Sequence, residues 1–260
     1  MVNDMLGMKR LLSYARRACD DYNMIEEGDV IAVGVSAGKD SLSLLYTLSA
    51  LSRFYSKKFK VIAITVDMKF DDLGEGRTPA DYSPIARLCE ELGVEYFVEE
   101  SNIAKIVFNI RKESNPCSLC AKLRRGALNE AAKRLGANKV ALGHHFDDAV
   151  QTFMLNLFYE GRIGCFSPVT YLDRTDITVI RPLVYVPEKD VEYFARHANL
   201  PVISSSCPAN KNTEREEMKK LLADIERNNK GLRHRIFGAM QRGGVSGFKE
   251  AKIKNYDDEK

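Results

Sequence analysis

The sequence predicts an α/β protein: a doubly wound, parallel five-stranded sheet with helices on both faces. Three observations lead there. Apolar runs of strand length, rich in valine and isoleucine, alternate with longer segments of helical periodicity. The first strand runs into a turn of small and hydroxyl residues, VSAGKDS, that opens a helix. The motifs rich in polar and cysteine residues fall just after strands, where the carboxyl edge of such a sheet holds its ligands.

Taken in order, MVNDMLGMKRLLSYARRACDDYNM reads as an amphipathic helix with Met5, Met8, Leu12 and Ala15 at helical spacing, within an N-terminal segment 1–28. DVIAVGV (29–35) is the first strand, and SLSLLYTLSALSRF (41–54) suits a helix packed on a sheet. KVIAITVD (60–67) is the second strand. YSPIARLCEELG (82–93) is a helix opened by Pro84 and closed by Gly93, and VEYFVEE (94–100) is the third strand. A basic, cysteine-bearing insertion leads into the helix CAKLRRGALNEAAKRLG, ending at Gly136. KVALGHH (139–145) and TVIRPL (178–183) are the fourth and fifth strands, with FDDAVQTFMLNLFYEG (146–161) as a helix between them and another helix over 187–198. Residues 29–200 form the main domain. Residues 201–242 form a basic helical segment, and 243–260 a polar, loosely ordered tail.

A chain of 260 residues with 45% hydrophobic content can bury a sizeable core. No apolar run reaches the roughly 18 residues of a membrane span, and the N-terminus lacks the apolar stretch of a signal peptide, so a cytoplasmic protein is expected. Six cysteines in that setting point to metal or redox chemistry rather than a disulfide framework. The net charge of +3 says little about nucleic acid, but RNNKGLRHRIFGAMQR (227–242) contains no acid. Its Arg233 and Arg235 are candidates for a phosphate backbone, or members of a solvated basic helix.

The loop after the first strand is not a Walker-type P-loop. That motif has four residues between its glycine and the Gly-Lys pair, then Ser or Thr for magnesium. Here three residues separate Gly34 from Gly38, and Asp40 follows Lys39. Backbone N–H groups at 38–41 and the helix dipole still favour an anion, with Ser36, Ser41 and Lys39 adding donors and charge. The bland alternative is a plain turn capped by Ser36 or Asp40. SAGKDS resembles the PP-loop signature Ser-Gly-Gly-x-Asp-Ser of ATP pyrophosphatases, which cleave ATP between its α and β phosphates. The resemblance implies ATP contacts from Ser36, Ala37, Gly38, Lys39, Asp40 and Ser41, and from Asp67 and Gly143 at later strand ends. The departure is Ala37, where the family has glycine. A methyl fits there only if the residue needs neither positive φ nor direct contact with phosphate.

In NPCSLCAKLRRGAL, Cys117 and Cys120 lie at a helix start with the spacing of a metal, cluster or redox pair. Cys207, in VISSSCPAN, is the other well-placed thiol. Three thiolates without a fourth suit a [4Fe–4S] cluster with one open iron; two buried thiols are the alternative for the pair. Cys19 and Cys89 read as packing residues, and Cys165 as undecided. In GHHFDD, adjacent side chains of a strand face opposite ways, so only one of His144 and His145 meets a ligand. Asp148 can hold Mg²⁺ through oxygen ligands, and Asp147 reads as a helix N-cap.

Together SAGKDS, CSLCAKLRRG, LGHHFDD, IRPL and the late cysteine resemble the tRNA 2-thiocytidine family (TtcA type) of tRNA sulfurtransferases over roughly residues 25–242. That family often carries a second Cys-x-x-Cys where this chain has only Cys207. The resemblance implies the PP-loop, adenine nucleotide α-hydrolase-like fold, with ATP, Mg²⁺ and a [4Fe–4S] cluster on Cys117, Cys120 and Cys207. It implies Arg124, Asp148 and Lys39 as catalytic residues, and adenylation then thiolation of C2 of an anticodon-loop cytidine. Partners would be tRNA, a sulfur donor such as a cysteine desulfurase or free sulfide, and a second copy in a homodimer; Lys122 and Arg125 are candidates for tRNA contact, or simply solvated. Sulfur would arrive on the open iron or as a cysteine persulfide. Other readings are adenylation of a different tRNA base or a small molecule, and a non-catalytic metal-bound RNA-binding protein.

Overall fold

The computed structural model describes residues 2–74, 78–112, 116–203, 207 and 214–250, with side chains from residue 7. Six strands form one sheet: β1 (Asp29–Gly34), β2 (Phe59–Asp67), β3 (Glu95–Glu100), β4 (Lys139–Ala141), β5 (Val169–Leu172) and β6 (Ile177–Ile180). Their order is β3-β2-β1-β4-β6-β5, parallel throughout except that β5 runs antiparallel to β6. The five expected parallel strands are present. The additional one is the short edge strand β5, joined to β6 by a turn at Asp176 with φ 54°.

The helices are α1 (Val2–Asp21), α2 (Lys39–Ser52), α3 (Ser83–Leu92), α4 (Pro116–Arg134), α5 (Phe146–Tyr159), α6 (Glu188–His197), α7 (Glu214–Asn228) and α8 (Leu232–Arg242). Strand alternation sorts the core into two faces. Ile31, Val33, Val61 and Ala63 face a large cluster with Leu42, Leu45 and Leu48 of α2, Leu11 and Ala15 of α1, Ile85 of α3 and Val150 of α5. Ala32, Ile62, Ile64, Val140 and Val179 face the other way, onto Leu128, Ala131 and Ala132 of α4. Helices therefore cover both faces, and α4, which covers the second, carries Cys117 and Cys120 in its first turns.

Pro84 opens α3 and Gly93 closes it in the left-handed conformation, φ 69°. The insertion before α4 contains a π-helical turn, Lys105–Arg111, whose Val107 is buried beside Met68 and Ile103. The start of the polar tail is not loose. Phe248 is fully buried against Tyr22, Phe166 and Phe237, and Ser246 Oγ accepts from Cys165 N at 2.9 Å. One aromatic is enough to hold the chain down through that point; residues 251–260 lie outside the described residues. Among the described residues no helix is long and apolar enough to cross a membrane.

Strand order reverses between β1 and β4, where a doubly wound sheet opens a crevice at its carboxyl edge. The loop 35–38 leaves β1 there and the segment 142–145 leaves β4.

Candidate active site

Ser41 Oγ organises the turn between β1 and α2. It accepts from Ser36 N at 3.1 Å and Ser36 Oγ at 3.3 Å, and donates to Gly38 O at 3.0 Å. Gly38 is the N-cap of α2 without any side-chain cap, so neither Ser36 nor Asp40 closes the helix. An uncapped N-terminus of this kind favours an anion. Ala37 sits at φ 63°, inside the left-handed region, and is buried. The condition for a harmless methyl is not met, and Ala37 carries strain that glycine would not. Its carbonyl accepts from Ile203 N at 3.0 Å, tying the loop to the segment that leads to Cys207.

β4 ends at Ala141, so the GHH triplet is a loop and not the end of a strand. Gly143 is required by close approach. A Cβ there would stand 3.0 Å from both the carbonyl carbon and oxygen of Asp40 and 3.1 Å from Ser41 N. His145 is the N-cap of α5: its Nδ1 accepts from Asp148 N at 3.3 Å, and Asp148 Oδ2 accepts from His145 N at 3.0 Å. The cap expected from Asp147 is therefore His145. Asp147 lies within the first turn, where its Oδ2 accepts from Glu188 N at 2.7 Å. Of the two histidines, His144 faces the cavity.

That cavity, about 650 Å³, is lined by Ser36, Ala37, Asp40 and Ser41 of the loop, Asp67 at the end of β2, Arg124 and Arg125 of α4, and Gly143 and Asp148 beyond β4. Nine of the expected residues thus meet around one space. Asp67 accepts from Lys69 N at 3.0 Å and from Tyr82 Oη at 3.3 Å. Among the other residues of the lining are His144, Phe166, Arg181 and Arg215. Arg181 was visible in the IRPL motif without a role. Arg215 lies in a charged helix, EREEMKK, that gives no local sign of a site. Burial first, then the Arg181 charge, pushes His144 down to about 4, and burial lowers Arg181 to about 10. At neutral pH the imidazole is uncharged and the guanidinium charged.

Gly38 and Lys39 do not line the cavity. Lys39 Nζ turns to Asp40 Oδ1 at 2.7 Å and Glu188 Oε1 at 3.3 Å. Both Asp148 oxygens accept hydrogen bonds, one from His145 N at 3.0 Å and the other from Arg215 Nη2 at 2.9 Å. Among the described residues no three Cys, His, Asp or Glu side chains gather as a site for a single metal ion. Arg233 is half-buried. It pairs with Asp147 at 3.4 Å and Glu226 at 2.9 Å, acids from neighbouring elements that the basic stretch itself lacks. Arg235 is exposed and donates to Lys230 O at 2.9 Å. Lys122 and Arg125 are exposed on α4.

Cys117 and Cys120 occupy the first turns of α4, where Cys117 is exposed and Cys120 half-buried. Burial pushes the Cys120 thiol up, the Arg124 charge lowers it, and Cys207 and Cys117 raise it further. Cys207 is therefore near enough to Cys120 to act on it electrostatically. Three thiols with an arginine beside them are a donor set that fits an iron–sulfur cluster, whose ligands are thiolates. Cys19 and Cys89 are buried packing residues as expected. Cys165 is pushed up to about 12 by burial, and its Sγ donates to Ala149 O at 3.4 Å, an inert thiol.

A PP-loop at the switch point of this sheet defines a PP-loop protein, and residues 12–225 match the PP-loop domain family. Within that class the chain belongs to the tRNA-cytidine(32) 2-sulfurtransferase family. It is 40% identical over 234 residues to the enzyme of Ralstonia pickettii, covering 89% of this chain and 72% of the relative. It is 37% identical over 240 residues to that of Geobacter sulfurreducens, covering 91% of each. Among solved structures, the U34-tRNA thiolase NcsA from Methanococcus maripaludis with its [4Fe-4S] cluster superposes with a TM-score of 0.71. That match is 26% identical and covers 88% of this chain and 77% of NcsA.

Proposed function

We propose that this chain is an ATP-dependent tRNA sulfurtransferase that replaces the C2 oxygen of an anticodon-loop cytidine with sulfur. The observation that carries the reading is that one cavity joins the PP-loop after β1 to the cysteine-bearing helix α4. A [4Fe–4S] cluster on Cys117, Cys120 and Cys207 would supply a binding position for sulfide on an iron free of protein ligands.

The C2 oxygen is a poor leaving group until it is adenylated. It attacks the α-phosphorus of ATP, and the bond to the β-phosphate oxygen breaks to release pyrophosphate. Hydrosulfide then bonds to C2, and the oxygen departs within AMP. The uncapped N-terminus of α2, with Ser36 and Ser41, holds the phosphates. Arg124 stands one helical turn from Cys120 on the cavity wall and neutralises charge that builds during both displacements. Lys39 serves the pyrophosphate by exchanging Asp40 and Glu188 for phosphate oxygens. Asp67 borders the nucleoside, and Asp148 holds His145 and Arg215 in place. Lys122 and Arg125 contact tRNA, whose target base is presented in a single-stranded loop. Sulfur comes from a cysteine desulfurase or free sulfide. A homodimer is part of this reading, with the exposed Leu157, Phe158, Tyr159 and Ile163 as apolar side chains available to it.

The test is anaerobic purification, followed by iron, sulfide and zinc analysis of wild type and of Cys117→Ser, Cys120→Ser and Cys207→Ser, with thiolated nucleosides measured in digested tRNA. About four irons per chain, lost in each variant together with 2-thiocytidine formation, are expected. Zinc without sulfide, or a cluster indifferent to Cys207, overturns the three-cysteine site. A thiolated uridine in place of cytidine overturns the acceptor.

A further inference from the structure

We propose that His144 is a further catalytic residue of this site, donating its Nε2–H to a substrate oxygen, and that Arg181 is the residue that positions it. The proposal rests on the thiolation reading and adds a role that neither SAGKDS nor the cysteines supply.

Arg181 follows β6 and is buried, with its guanidinium 5.0 Å above the Phe166 ring. Its Nη1 donates to Ser167 O at 2.5 Å and reaches Thr170 Oγ1 at 3.5 Å, which fixes the fork. Its Nε then donates to His144 Nδ1 at 3.3 Å. A guanidinium has only donors, so Nδ1 must offer a lone pair, and the proton of the neutral imidazole must sit on Nε2. Phe166 packs against the same imidazole, centroids 4.8 Å apart, and flipping the ring would set a C–H against the arginine donor. Burial and the adjacent positive charge keep the ring neutral at physiological pH, which supports the tautomer assignment.

The neighbouring histidine shows the contrast. His145 spends Nδ1 on the cap of α5, whereas His144 contributes to the cavity wall. Gly143 seats this segment directly on the backbone of Asp40 and Ser41, so His144 lies beside the phosphate-holding turn. A neutral Nε2–H there suits an oxygen whose negative charge grows in the transition state, with no proton transferred. The acceptor is a phosphoryl oxygen of the nucleotide or the carbonyl oxygen of the base.

The test pairs spectroscopy with kinetics. Long-range ¹⁵N–¹H correlation on the full chain reads the tautomer of each of its four histidines, with the His144 signals assigned by their loss in His144→Phe. The expected result is an Nε2-protonated His144 in wild type and mixed tautomers in Arg181→Met. In assays of tRNA-dependent AMP formation, His144→Phe should lose about 100-fold in kcat, and His144→Gln, which restores an amide N–H near Nε2, should recover at least about tenfold. Thermal unfolding confirms that the compared variants are folded. A lowered ATP affinity without tRNA assigns the oxygen to the nucleotide; unchanged ATP affinity with reduced kcat assigns it to the base. An Nδ1-protonated His144, a His144→Phe rate within about threefold of wild type, or a glutamine no better than phenylalanine overturns the proposal. A wild-type chain that forms AMP but no thiolated tRNA would remove the wider reading while leaving both measurements on His144 decisive.

Discussion

Arg215 Nη2 donates to Asp148 Oδ1 at 2.9 Å, and that bond ties the first turn of α7 to the first turn of α5 beside the cavity both residues line. A second ion pair joins α7 to α6: Lys219 meets Glu188 at 2.9 Å, and Glu188 is also the partner of Lys39 at 3.3 Å. Through Lys219, Glu188 and Lys39, α7 and the nucleotide loop share one network of charges. The Arg215–Asp148 pair is largely exposed on the arginine side, so its contribution to stability is small, below about 1 kcal/mol. Arg215→Met should leave the urea midpoint nearly unchanged and reduce tRNA-dependent AMP formation about tenfold or more. A collapse of stability with proportionate loss of activity would assign Arg215 a purely structural part.

Gly143→Ala tests the close approach of the two loops. The added carbon would meet backbone atoms of Asp40 at 3.0 Å, and backbone cannot move aside as a flexible side-chain tip can. Overpacking of this kind costs about 1–3 kcal/mol, and displacing the phosphate loop by a fraction of an ångström costs activity disproportionately. The expected outcome is a lowered melting temperature with a loss of ATP turnover larger than the unfolded fraction explains. Wild-type turnover in the variant would sink the argument.

The parts of this site that were legible from sequence are those written in local spacing. SAGKDS is a strand–turn–helix junction, and Cys117 and Cys120 share a helix face by their spacing alone. What escaped depends on partners distant in the chain. The direction of Lys39 is set by Glu188, and the tie between Arg215 and Asp148 joins helices with no common motif. Arg233 looked free because the acids that neutralise it, Asp147 and Glu226, lie on other helices. The strand VTYL was too short for a period of two to stand out, and it is held as an edge by pairing with β6. Phe248 shows the limit of composition: one buried aromatic outweighs a polar neighbourhood.

Ala37→Gly should stabilise the protein. A left-handed conformation costs an alanine about 1–2 kcal/mol, while glycine adds about 0.4–1 kcal/mol of unfolded-state entropy to be lost. The difference favours glycine by up to about 1.6 kcal/mol, less whatever packing the buried methyl supplies. Urea titration reads this directly, and an Ala37→Gly variant less stable than wild type would mean that packing outweighs the strain. ATP turnover should persist in the variant, because the carbonyl that accepts from Ile203 N is retained.

The last prediction concerns acid stability and isolates His144. Its folded value, about 4, lies below the ordinary 6.5, with burial the first cause and the Arg181 charge the second. Asp148 opposes the shift, while Arg215 and His145 add to it. Between these two values the unfolded chain binds a proton at His144 that the folded chain refuses. Stability from this group is therefore complete above about pH 6.5 and falls as pH drops toward 4. The slope is about 1.4 kcal/mol per pH unit, for about 3 kcal/mol across the window. Carboxylates titrate in the lower part of the same range, so the quantity to measure is a difference: urea midpoints of wild type and His144→Phe at half-unit steps from pH 4 to 7.5. The wild-type curve should fall more steeply than that of the variant below pH 6.5, and the two should run parallel above it. Parallel curves throughout would mean that His144 accepts its proton without cost, and that Arg181 does not hold it neutral.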